Sequence, residues 1–156
     1  MKIFVIALAF CCASSAQARL GETLAQITER YGQPTETYRD VKGRLSYIYR
    51  YDDYRIMVQY IDGISHNEVY VKLDDSELSD SDMEGLLKAN AQGGKWEKYP
   101  HPITTSDGSV MRGWVILQSG SLSVYGPSEI NDKQYRHALS ISTHAYVEQN
   151  KALDAR

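Results

Sequence analysis

The chain predicts an α+β fold in which short helices pack on an antiparallel β-meander, and three observations carry that prediction. Two short apolar-periodic segments open with capping boxes. Three consecutive runs between residues 45 and 73 are rich in aromatic and β-branched side chains and are divided by two-residue turns. Twelve Tyr stand against two Phe. Tyr joins a large apolar body to a polar tip, which suits sheets with one wetted face.

The first element is a leader. Lys2 supplies a positive start, Ile3 to Phe10 an apolar run, and Ala16-Gln17-Ala18 a small-x-small cleavage site. The apolar run breaks down at Ser14 and Ser15, short of the roughly 20 residues a membrane span needs. Cleavage after Ala18 predicts a periplasmic or secreted protein and removes Cys11 and Cys12, the only cysteines. Neither cysteine follows the small residue that lipidation requires, because Phe10 precedes Cys11 and Cys11 precedes Cys12. No N-x-Ser/Thr acceptor occurs, in keeping with a bacterial envelope.

The 156 residues less the leader leave 138, enough for a core without metal or disulfide. Loss of Lys2 takes the formal charge from −3 to −4. That mild acidity argues against nucleic acid, which calls for a basic stripe.

Thr23 and Gln26 form the first capping box, Leu24, Ile27 and Tyr31 its apolar stripe, and Gly32 with Pro34 its stop. Strands are expected at Leu45 to Tyr51, Tyr54 to Ile61 and Ile64 to Leu73, with turns at Asp52-Asp53 and Asp62-Gly63. Two-residue turns set Tyr49 opposite Ile56 and Ile56 opposite Val69, so Tyr47, Tyr49, Ile56, Val58 and Val69 share the face that takes the helix. The other face mixes polar and apolar groups, and Ile48, Arg50, Arg55, Met57, His66 and Tyr70 are its candidate partner contacts.

Residues 79–156 begin with a second helix, capped by Ser79 with Asp82 or Ser81 with Glu84, carrying Met83, Leu86 and Leu87, and ended by Gly93-Gly94. Strands around Trp96 to Tyr99, Val110 to Leu117, Leu122 to Tyr125 and Leu139 to Ile141 follow, then a helix from Thr143 to about Leu153. The segments 19–78 and 79–156 thus read as two units packed as one compact domain. Their order allows degenerate copies of one helix-then-meander unit, although no residue-level repeat compels this.

No chemistry-bearing motif is complete. Asp80-Ser81-Asp82-Met83-Glu84-Gly85 begins like a calcium loop, but Ala91 occupies the twelfth position, where a bidentate carboxylate belongs. Helix capping accounts for the same acids. His66, His101, His137 and His144 form no H-E-x-x-H motif, and neither G-x-S-x-G nor a phosphate loop occurs. No cofactor or metal is expected. The sequence therefore predicts a non-catalytic binding or structural module acting through contact with an envelope protein. Two alternatives stay open: capture of a small ligand between helix and sheet, and an enzyme whose site is assembled from scattered groups such as His66, Glu68 and Asp82.

Leu20-Gly21-Glu22-Thr23, Tyr31-Gly32-Gln33-Pro34, Tyr47-Ile48-Tyr49 and the Asp62-Gly63 turn together resemble the SmpA/OmlA, or BamE-like, family of small envelope proteins. The resemblance covers residues 20–73. It implies a non-enzymatic protein, and the family's best-known members are lipoproteins that support outer-membrane barrel assembly. The lack of a convincing anchor cysteine and the second half depart from that pattern, and the second half is similar instead to the tandem arrangement of β-lactamase inhibitory proteins. No binding residue is carried over.

Overall fold

The structure is a computed structural model that describes residues 20–40 and 43–154. The expected leader, with Cys11 and Cys12, lies outside them. Among the described residues, no helix is long and apolar enough to cross a membrane.

Helix α1, Leu24–Tyr31, is followed by β1 Glu36–Arg39, β2 Leu45–Tyr51, β3 Tyr54–Ile61 and β4 Ile64–Lys72. Helix α2, Asp80–Ala89, precedes β5 Glu97–Lys98, β6 Ile103–Thr104, β7 Val110–Ile116, β8 Ser121–Ile130 and β9 Lys133–Ser142, and α3 spans His144–Asp154. The architecture is α+β, but the sheet is much larger than a short meander. Its order is β1-β2-β3-β4-β9-β8-β7-β5, antiparallel throughout, with β6 also on β7. The last long strand of each half meets the other at the centre, through β4 and β9.

Local chemistry explains the ends of the elements. Both capping boxes form: Thr23 with Gln26, and Ser79 with Asp82. Gly32 stops α1 at φ 82°. Asn90, not the glycine pair, ends α2, and its side chain accepts from the Leu20 N–H at 2.8 Å. Thr143 opens α3, its Oγ1 accepting from Tyr146 N at 3.3 Å. Asp62 and Gly63 take φ 51° and 79°, as a type I′ hairpin requires.

The β2–β3 register matches the expectation, with Tyr47, Tyr49 and Tyr51 opposite Val58, Ile56 and Tyr54. The β3–β4 register does not. Tyr60 pairs with Ser65 but Gln59 pairs with Asn67, so His66 is an extra, bulged residue. Beyond it every β4 side chain changes face: Ile56 lies opposite Tyr70 rather than Val69. The bulge falls where β4 changes partners. Before it, Ser65 bonds the 21–22 backbone at 2.8 Å; after it, Asn67 to Tyr70 pair with β9. His66 itself is tied to the start of α3, with Nδ1 2.7 Å from Thr143 Oγ1.

The front face of the sheet carries Tyr49, Ile56, Tyr70 and Leu139, all buried beneath Ile27 of α1 and Met83 of α2. The back face carries Ile48, Met57, Val69 and Val71, and it is also buried. Its cover is the far end of the β8–β9 hairpin. A bulge at Pro127 bends β8, and Ile130 and Tyr135 then pack across the back of the sheet. The tip reaches β1, where the Tyr38 hydroxyl donates to Asp132 Oδ1 and Asn131 Nδ2 donates to Glu36 Oε2, each at 3.1 Å.

Candidate functional site

The six expected contact residues do not form one exposed face. Ile48 and Met57 are 0% and 7% exposed under the hairpin tip. Arg55 is held by Glu36 at 2.8 Å, and His66 occupies the bulge. Tyr70 lies on the opposite side of the sheet, 0% exposed, because the bulge reverses its direction. Only Arg50 is fully on the surface. The scattered catalytic set is not gathered either. His66 engages Thr143, Glu68 engages Tyr70, and Asp82 engages Ser79 and Lys72, with no partner in common.

What the chain builds instead is a tyrosine-walled cleft of about 240 Å³ on the front, between α1, α2 and the β2–β3 turn. Tyr31, Tyr51 and Tyr54 form one side, Ile56 and Tyr70 the floor, and Gly85 and Leu86 the α2 wall. Tyr31 is fixed by the α1 stripe, and its ring centroid lies 5.1 Å from that of Tyr51 and 5.7 Å from that of Tyr49, both tilted. Such ring pairs contribute about 0.5–1.5 kcal/mol beyond burial, so these walls are preorganised. The α2 wall is low because Gly85 has no side chain at mid-helix. Ala there would favour the helix by roughly 0.5–1 kcal/mol.

Polar groups converge at the rim and beneath the floor. At the rim, Lys72 Nζ lies 3.2 Å from Asp82 Oδ2. Burial, reinforced by the Asp82 charge, pushes the Tyr54 phenol up to about 12. Beneath the floor, the Tyr70 hydroxyl donates to Glu68 Oε2 and lies 3.5 Å from Asn90 Nδ2. Glu68 is wholly buried. Among the described residues its other oxygen has no hydrogen-bond partner. Burial raises the Glu68 carboxyl to about 7, Glu22 adding to this while the Tyr70 bond and Arg30 oppose it. Burial and the Glu68 charge likewise hold the phenols of Tyr31 and Tyr70 far above the ordinary range. The phenols of Tyr31, Tyr54 and Tyr70 are thus neutral donors at physiological pH. The walls offer apolar rings with hydrogen-bonding tips.

Tyr31, Tyr51, Tyr54, Gly85 and Leu86 were not expected at a site. Two signals pointed toward them: the tyrosine excess, and a glycine in the middle of an otherwise regular helical stripe.

No protein-family profile matches the chain, and no curated protein does. Among solved structures the chain is similar to a cysteine-rich secretory protein from Staphylococcus aureus subsp. aureus Mu50, at 10% identity and a TM-score of 0.43. The match covers 82% of this chain and 44% of that one, so the chain spans less than half of that protein's length.

Proposed function

We infer that the protein is a non-catalytic binding module of the bacterial cell envelope, exported by its leader, that receives one protruding apolar or aromatic side chain of a partner protein in the tyrosine cleft. The observation that carries this reading is the cleft's size and lining. At about 240 Å³ it falls below the roughly 300 Å³ at which small-molecule sites begin. It suits a single buried anchor, and such anchors dominate interface energetics. The resemblance of residues 20–73 to the BamE-like family supports the same reading, and the leader-like pattern ending at Ala16-Gln17-Ala18 supports its location. Glu68, whose carboxyl burial raises to about 7, meets the cleft through Tyr70.

Peptide display against the purified protein tests the proposal. Enriched peptides are expected to share one large aromatic or aliphatic position, and their binding should fall at least tenfold in Gly85→Leu, which fills the cleft. Enrichment with no such anchor, or binding indifferent to Gly85→Leu in a protein that melts normally, would overturn it.

A further inference from the structure

A second cavity, of about 340 Å³, lies on the back of the molecule between the β8–β9 tip, the β1–β2 edge and α3. It falls within the roughly 300–1,000 Å³ typical of small-molecule sites. Its floor has two characters. Met57 and Val69 make an apolar patch, and beside them a row of polar side chains crosses β2, β3, β4 and β9. Gln59 Nε2 donates to Ser46 Oγ and Asn67 Nδ2 donates to Gln59 Oε1, both at 2.9 Å. The hydroxyls of Ser140 and Ser142 donate to Asn67 Oδ1 at 3.1 and 2.8 Å, and the Tyr146 hydroxyl donates to Gln59 Oε1.

Each amide oxygen of the row accepts twice, and each amide nitrogen donates once, among the described residues. A primary amide carries two N–H groups. Gln59 and Asn67, 5% and 3% exposed, each commit one among the described residues. A buried donor left unpaired is costly, so such groups find partners. Both residues line the cavity, so a ligand there can accept from their remaining N–H groups. The rim offers the opposite chemistry, with Glu129 and Asp132 supplying carboxylate acceptors. The cation there, Arg44, is engaged by Asp40 at 2.6 Å and lies over the Tyr146 ring at 5.4 Å.

The geometry points to this cavity as a binding site for a neutral saccharide, free or as a unit of a longer glycan. A hydroxyl is both donor and acceptor, so vicinal hydroxyls answer the amide floor and the carboxylate rim together, while the C–H face of the ring covers Met57 and Val69. An amine would meet N–H donors on the floor, and a phosphate or carboxylate would meet like charge at the rim. Sugar hydroxyls also replace bound water with the same hydrogen bonds, which keeps displacement inexpensive.

The test is an NMR titration of the isotope-labelled protein with glucose, N-acetylglucosamine and chitotetraose, following the side-chain NH₂ resonances of Gln59 and Asn67. Those resonances are expected to shift with a Kd of roughly 1 mM or tighter. Ser128→Trp, which fills the cavity without removing a named hydrogen bond, should abolish the shifts. Tighter binding of the tetramer would identify a glycan as the ligand, and equal affinities a free sugar. Absence of shifts with all three probes, or shifts that persist in Ser128→Trp, would overturn the assignment. So would a preference for putrescine or glucuronate over glucose. The front-face proposal is untouched by any of these outcomes, because Gly85→Leu leaves this cavity intact.

Discussion

Replacing Glu68 with Gln should change how stability depends on pH, and the size of the change follows from the site. Burial takes the carboxyl from its ordinary 4.5 to about 7 in the folded protein. A folded value above the unfolded one means that Glu68 contributes its stability in full below about pH 4.5 and loses it as pH rises through 7. At about 1.4 kcal/mol per pH unit, the loss comes to roughly 3 kcal/mol by pH 8. The amide of the Glu68→Gln protein cannot ionise and escapes it. The substitution also has a fixed effect, because the new amide faces the position where Glu68 Oε1 has no partner. That effect is independent of pH, and the responses of carboxylates distant from Glu68 cancel once wild type is subtracted. Urea unfolding of both proteins from pH 4 to 8 therefore isolates Glu68. The stability of Glu68→Gln minus that of wild type should climb by roughly 3 kcal/mol across the range, or about 10 °C in Tm. A flat difference would show that Glu68 is ionised in the folded state at neutral pH, and the account of its burial would fail.

Three further outcomes follow from the packing. Gly85→Ala should raise stability by about 0.5–1 kcal/mol in thermal unfolding while weakening anchor-peptide binding several-fold, a combination that a merely structural glycine would not give. Ile130→Ala, at 1% exposure on the folded-over hairpin, should cost about 2–5 kcal/mol in urea unfolding; a loss near zero would mean that the tip does not cover the back face. Thr143→Ala removes both the α3 cap and the tether to His66, and should cost about 0.5–2 kcal/mol in the same assay.

The first half of the fold was largely legible in the sequence because its signals are local. Capping boxes, an Asp-Gly turn and runs of aromatic and β-branched residues each act within a few positions, and α1, β2, β3 and β4 lie where those signals put them. The bulge at His66 was not legible. Its reason is a change of pairing partner from residues 21–22 to β9, and no local pattern records that. One inserted residue then moved Glu68 and Tyr70 to the front face and Val69 and Val71 to the buried back face, which displaced the expected contact face. The long β8–β9 hairpin was underestimated for a different reason. Pro127 reads as a strand breaker but serves as a bulge, and Asn131-Asp132, at φ 52° and 58°, are the turn beyond it. The tyrosine cleft needed three separate elements to converge, and only its residue types were visible beforehand.

The meeting of β4 with β9 has a temporal consequence. Asn67 and Ser142 clasp side chains across 75 positions of chain, so this seam closes only after nearly the whole polypeptide is present. Contacts of such long range are slow to form. Until β9 arrives, β4 is an open border whose N–H and C=O groups are free to recruit another chain. Any truncation before residue 133 should therefore leave a polypeptide that self-associates along that border.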